Sequence, residues 1–188
     1  MKLRVLFTIP NFDTAGSGFA LFNLASNLDV SKFDVHVLCK HNKGEFFKVV
    51  ERSHLILHVF DFETPMRPVF KGLMGVYKVS RKLKAIKPDI IYSYHYSSDY
   101  SEPLAAFFAG IKWIYVKKNM SWFGPSLNAW KLRTFLAKAV NLQNLQMKRE
   151  FFGDSKKLVK IPIGVDTDKF TIKPKDFNFK VELSFYHL

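Results

Sequence analysis

The spacing of apolar residues along this chain changes character repeatedly, from compact apolar runs to apolar positions three and four residues apart. Leu3 to Ile9 reads as a strand apolar enough to be buried on both faces. Leu21, Leu24, Ala25 and Leu28 then fall at i, i+3, i+4 and i+7, one face of a helix. Asp34 to Cys39 and Leu55 to Phe60 predict two more strands, with a short helix over Lys43 to Arg52 between them. Val69, Leu73, Val76, Val79, Leu83 and Ile86 mark the buried stripe of a long helix that ends before Pro88. A strand over Asp89 to Tyr94, a helix over Glu102 to Ala109 stopped by Gly110, and a strand over Trp113 to Val116 follow. A helix over Ala129 to Ala139 and a strand over Leu158 to Pro162 come last, with a weaker strand at Val140 to Leu145 because of its Asn and Gln. Phe177 to Phe185 adds a further strand or short helix. Strands alternating with helices predict an α/β, Rossmann-like domain of three layers, helix–sheet–helix, around a mainly parallel sheet.

In such a sheet ligands bind at the carboxyl ends of the strands, which singles out the loops after Ile9, Cys39, Phe60, Tyr94 and Val116. The first loop, Pro10 to Gly18, carries Gly16, Ser17 and Gly18 just before a helix. Glycines let backbone approach a ligand, and free amides at a helix start favour phosphate. By spacing alone a flexible turn without ligand is the stronger reading, since the third glycine of a dinucleotide fingerprint is missing. His95 follows the strand ending near Tyr94, with Ser97, Ser98 and Asp99 beside it. An imidazole there can donate to a sugar hydroxyl or phosphate and titrates where proton transfer is useful. A partly buried histidine satisfied by a local hydroxyl or carbonyl is the equal alternative. After Val116, Lys117 and Lys118 can bind a phosphate or carboxylate, and Trp122 offers a flat face to a sugar ring or lipid. A solvated loop with one packed Trp fits the same residues.

Composition narrows the partners. The net charge of +13 over 188 residues attracts nucleic acid, acidic lipid head groups or phosphorylated substrates, against the plain reading of a solvated basic surface. No helix-turn-helix, zinc-finger or RNA-binding motif accompanies the charge, so nucleic acid is the least favoured partner. The long helix carries Lys71, Lys78, Arg81, Lys82, Lys84 and Lys87 outside its stripe, a pattern that suits an anionic membrane surface and equally an ordinary sheet-covering helix. Most of the 20 phenylalanines are expected in a core, with a few on an apolar binding face. Cys39 is the only cysteine, so no internal disulfide or cysteine zinc cluster forms, which suits a reducing cytoplasm. The run Val5 to Ile9 is too short for a signal peptide, and Pro103 to Val116 is too short to span a bilayer. The expectation is a cytoplasmic protein, peripheral at most at the inner face of the membrane.

One run is more specific: Lys160-Ile161-Pro162-Ile163-Gly164-Val165-Asp166-Thr167-Asp168-Lys169-Phe170. A short strand, a Pro/Gly turn and an acidic loop closed by an aromatic follow one another. The run resembles the I-P-N-G-V-D-x-x-x-F segment that ends the first domain of family 4 glycosyltransferases with the GT-B fold. Leu24-Ala25-Ser26-Asn27-Leu28 matches the family's Leu-Ala-x-x-Leu helix, which places Gly16 and Gly18 in its glycine-rich loop. Asp89-Ile90-Ile91-Tyr92 resembles its Asp-hydrophobic-hydrophobic-His strand, with Tyr92 where His is common. The loop that often carries a sugar-contacting His has Lys118 or Asn119 instead, and Ile163 replaces the Asn of the closing turn. Asp166 and Asp168 read as turn and cap residues, not metal ligands.

The resemblance implies the acceptor-side half of a GT-B enzyme, with residues 1–165 as that domain and 166–188 as interdomain linker and the edge of a donor-binding domain. Only eighteen residues follow Phe170, too few for that second domain, and no pair of glutamates eight apart that would handle the donor occurs. The implied partners are a nucleotide-sugar donor, a saccharide or lipid-linked acceptor, and the missing donor-binding domain or a partner subunit. No cofactor or metal is expected, and the anomeric configuration is expected to be retained. The competing expectation is a non-catalytic module that binds a sugar phosphate.

Overall fold

The computed structural model describes residues 2–13, 15–95, 97, 99–118, 127–148, 152, 155–162 and 164. The elements run β1 (Leu3–Ile9), α1 (Ala15–Ser26), β2 (Phe33–Cys39), α2 (Glu45–Glu51), β3 (Ile56–Val59) and α3 (Val69–Ile86). They continue with β4 (Ile90–Ser93), α4 (Ser101–Ala109), β5 (Lys112–Lys117), α5 (Leu127–Leu136), β6 (Ala139–Leu142) and β7 (Leu158–Lys160). The strands form one sheet in the order β3-β2-β1-β4-β5-β6-β7, every neighbouring pair parallel. The order reverses between β1 and β4, the switch point where doubly wound sheets open a crevice.

Side-chain alternation assigns the two faces. Leu6, Leu38, Ile91, Trp113 and Tyr115 enter one core with Val76, Val79 and Leu83 of α3, Ala105 and Ala106 of α4, and Trp130 of α5. Val5, Phe7, Ile9, Val35, Val37 and Cys39 enter the other with Leu21 and Ala25 of α1 and Phe47 and Val50 of α2. A parallel sheet covered on both sides demands the near-continuous apolar strands seen in β1 and β2.

Three local expectations are corrected. α1 begins at Ala15, so Gly16, Ser17 and Gly18 form its first turn and not a loop ahead of it. The turn packs tightly at Gly18, where a Cβ would meet the buried Phe12 ring at 3.0 Å. α5 ends at Leu136 and Ala139 opens β6, because Lys138 N–H donates to the Trp113 carbonyl at 2.8 Å and draws the chain into the sheet. On α3, Val69 and Leu73 are 63% and 40% exposed, and the buried line is Gly72, Val76, Val79, Ser80 and Leu83. The helix enters its layer at Gly72, where any Cβ would lie 2.8 Å from the Met66 backbone, so the first turns keep their outer apolar residues in solvent.

The strand at Val140 is real despite its polar content. Asn141 Nδ2 donates to Tyr92 Oη at 2.5 Å, and its Oδ1 accepts Ile161 N–H at 2.9 Å, so the buried amide is satisfied. The strand or helix expected over Phe177 to Phe185, and the 166–188 linker, lie outside the described residues.

Candidate functional site

Thr8 of β1 and Ser93 of β4 are register partners at the switch point, and both are fully buried. Glu102, in the first turn of α4, reaches both hydroxyls: Thr8 Oγ1 donates to Oε1 at 2.5 Å and Ser93 Oγ to Oε2 at 2.8 Å. A carboxylate only 1% exposed thus ties β1 to β4 at the switch point. Asp99 sets the helix that carries it, accepting the amides of Ser101 at 3.1 Å and Glu102 at 3.3 Å.

His95 lies above Glu102. Its Nδ1 is 3.7 Å from Glu102 Oε2, and its Nε2 is 2.9 Å from Glu63 Oε1 and 2.8 Å from Ser97 Oγ. Glu63, on the loop after β3, also accepts Lys40 Nζ at 2.8 Å. Burial alone would lower the His95 pKa, but hydrogen bonds to Glu102 and Glu63 outweigh it and hold the ring above its ordinary value. Burial likewise pushes Glu63 up, yet the His95 and Lys40 contacts bring it down to about 2. His95 is therefore the central member of a charged chain joining the ends of β1, β2, β3 and β4. At 3% exposure, with carboxylates on both sides, His95 orders the loops that line the crevice.

Arg133 of α5 braces the same loops. Its guanidinium, fully buried, donates to the carbonyls of Asp99 and, at 3.0 Å, of His95. It lies over the rings of Trp113, Tyr115 and Trp130 at 5.0, 5.2 and 5.4 Å.

The two lysines after β5 diverge. Lys117 lies over Trp130 at 5.2 Å, whereas Lys118 donates to the Tyr94 carbonyl at 2.7 Å and stands 4.5 Å over the Tyr94 ring. Burial lowers Lys117 to about 8 and Lys118 to about 7. An amine titrating near neutrality can hold an anion or exchange a proton. Lys118 and His95 are thereby brought to adjoining loops, Lys118 being bonded to the residue before His95. Gly16, Ser17 and Gly18 lie on α1, on the other face of the sheet from α4. Ser98, Asn119 and Trp122 lie outside the described residues. Among the described residues, no three His, Cys, Asp or Glu are grouped to hold a metal ion.

Glu102, Glu63, Lys40, Thr8 and Arg133 are not among the residues that the sequence singles out. The available signal was positional: Glu63 and Glu102 each follow a strand's carboxyl end.

No protein-family model matches the chain, and no curated protein matches its sequence. Solved structures do match. A glycosyltransferase from Rickettsia africae superposes with a TM-score of 0.69 at 16% identity, over 89% of this chain and 44% of that one. Anabaena HepE, in complex with UDP and glucose, superposes with a TM-score of 0.68 at 18% identity, over 92% of this chain and 47% of that one. A UDP-N-acetylglucosamine 2-epimerase, described as putative, from Listeria monocytogenes gives a TM-score of 0.61 at 14% identity, over 84% and 44%. The chain therefore has the Rossmann-like fold of the N-terminal half of GT-B glycosyltransferases, and it spans about half the length of the structures it matches.

Proposed function

We propose that this chain is the acceptor-side half of a glycosyltransferase that moves a sugar from a nucleotide-sugar donor to a saccharide or lipid-linked acceptor. The observation carrying this reading is the parallel sheet whose strand order reverses between β1 and β4 and which superposes on half of such enzymes over about nine-tenths of its own length. The Glu102–His95–Glu63–Lys40 chain, buried at its first two members, holds the loops after β2, β3 and β4 in one geometry, and orienting two substrates is where much of the rate of a transfer reaction originates. Lys118, half-buried on the loop after β5, supplies an amine for a phosphate or carboxylate of the substrates, whereas Lys117 is buried over Trp130. Glu102 and His95 act as positioning residues. The reaction retains configuration and needs no metal, so excess EDTA leaves the rate of the complete enzyme unchanged.

The partner surface of this reading is an anionic membrane, met by α3. Phe70, Leu73, Met74 and Tyr77 are exposed along its outer side among Lys71, Lys78 and Arg81. Among the described residues no helix is long and apolar enough to cross a membrane.

The deciding experiment is the mass of the native protein in its source cells, by immunoblot or intact mass spectrometry. A species about twice the 21.8 kDa of this chain supports a two-domain transferase. A species at 21.8 kDa points instead to an acceptor-side subunit of a two-chain transferase, or to a sugar-phosphate-binding module. The 188-residue chain alone is expected to give no turnover, and measurable transfer by it would overturn the half-enzyme reading.

A further inference from the structure

The amino end of the sheet holds a concavity of about 650 Å³ between the carboxyl ends of α4 and α5. Phe107 and Leu136 contribute to an apolar wall, and Lys112, Lys138, Lys156 and Lys157 line it with ammonium groups. Among the described residues, no carboxylate lines it. Lys157 has a structural task, donating to the carbonyls of Thr134 at 3.1 Å and Phe135 at 2.7 Å and so capping α5. Capping accounts for that lysine. It leaves Lys112, Lys138 and Lys156, exposed cations gathered on one apolar hollow with no carboxylate among the described lining residues.

The rim decides what kind of anion fits. Phe107, Phe108 and Phe135 are 63%, 49% and 75% exposed. The Phe107 and Phe108 rings lie 6.1 Å apart, and Phe135 lies beneath Lys157, 5.7 Å from its Nζ. Exposed phenylalanines beside lysines match the boundary between head groups and acyl chains, where rings enter hydrocarbon and ammonium groups stay at phosphate level. A small soluble phosphate would gain nothing from the rings.

We propose that this pocket seats the phosphate head group of an anionic phospholipid, with Lys112, Lys138 and Lys156 around the phosphate and the three phenylalanines against the acyl region. The inference deepens the membrane part of the reading above and does not depend on sugar transfer. α3, α4 and α5 share one side of the sheet, so the pocket adds a specific contact to the layer that carries the exposed α3 residues.

The test is sedimentation of the 188-residue chain with phosphatidylglycerol and phosphatidylcholine vesicles, for wild type, Lys112→Glu/Lys138→Glu, and Phe70→Ser/Met74→Ser. Circular dichroism confirms that each variant is folded. The pocket variant is expected to bind phosphatidylglycerol vesicles at least about tenfold more weakly, and to lower binding by a similar factor when combined with the α3 variant. Phosphatidylcholine vesicles are expected to bind none of the three forms. Wild-type affinity in the pocket variant overturns the proposal, as does equal binding to both lipids. Saturation by inorganic phosphate, read from Lys112 and Lys138 side-chain NMR shifts, in a protein that ignores vesicles would assign a soluble anion and overturn the lipid. Loss on the α3 variant alone removes the pocket and keeps the membrane part of the proposed function. A transferase that ignores vesicles separates the two readings the other way.

Discussion

The two ends of the same parallel sheet use charge in opposite ways. At the carboxyl end, Glu102, His95, Glu63 and Lys40 alternate in sign, and the first two are almost fully buried. At the amino end, Lys112, Lys138 and Lys156 share one sign on an apolar wall. Paired charges taken out of water fix geometry, because each is costly to leave alone. Like charges kept at the surface hold little structure and remain available to a ligand. The contrast gives an ordering of mutational effects on stability, largest at the carboxyl end.

Glu102→Ala should be the most damaging change. It strips acceptors from Thr8 and Ser93 and leaves His95 and Arg133 with one fewer buried counter-charge. Breaking a buried ion pair in this way costs about 3–5 kcal/mol, read as a fall in urea unfolding free energy. A loss below about 1 kcal/mol would mean that the chain does not hold the crevice and would erase the contrast.

Arg133→Lys comes next. A lysine keeps the charge but cannot satisfy the carbonyls of Asp99 and His95 with one planar fork while stacking among three aromatic rings. The expected cost is about 1–3 kcal/mol. Recovery of wild-type stability by lysine would show that charge alone, not the fork, braces the loops.

The pH profile sharpens the comparison further. Glu63, held near 2 against an ordinary 4.5, contributes fully above about pH 4.5 and loses that contribution as pH falls toward 2. His95, held above 6.5, contributes fully below pH 6.5 and loses it as pH rises through its folded-state value. These two groups give a plateau between about pH 4.5 and 6.5 with a decline on either side. Buried Asp99, raised by desolvation, softens the acid limb. Lys118, lowered from 10.5 to about 7, works against the alkaline limb, since folding favours its neutral amine. Urea midpoints measured from pH 3 to 9 for wild type and His95→Gln isolate the histidine: the variant should lose the first part of the alkaline decline. A variant that keeps it would assign the decline elsewhere.

How much of this was legible in the sequence follows the same divide. β1, β2 and α4 were readable because local spacing reports burial directly: Leu6 and Phe7 must face opposite layers, and Gly110, at φ 73°, must end its helix. The Glu102 site was not readable. Thr8 and Glu102 stand ninety-four positions apart, and nothing near either announces the other. Arg133 was hidden for a related reason: in sequence it stands near Lys131 and Lys138, while in the fold three aromatics from β5 and α5 enclose it. The pocket at the other end was equally hidden, because Lys112, Lys138 and Lys156 come from separate elements that only the sheet order brings together.

The smallest predicted effect on stability is the most telling. Lys112→Glu/Lys138→Glu should move the unfolding free energy by less than about 0.5 kcal/mol per site, because both side chains are exposed. The same change should cut binding to phosphatidylglycerol vesicles strongly. If the double variant instead unfolds readily, the lysines are holding the α4 and α5 termini in place and belong with the structural charges of the other end. If stability and vesicle binding are both untouched, the amino end carries solvated charge and nothing more. Only stable protein with lost binding keeps the two ends distinct, one built from charges that must not be separated and the other from charges that have yet to meet their partner.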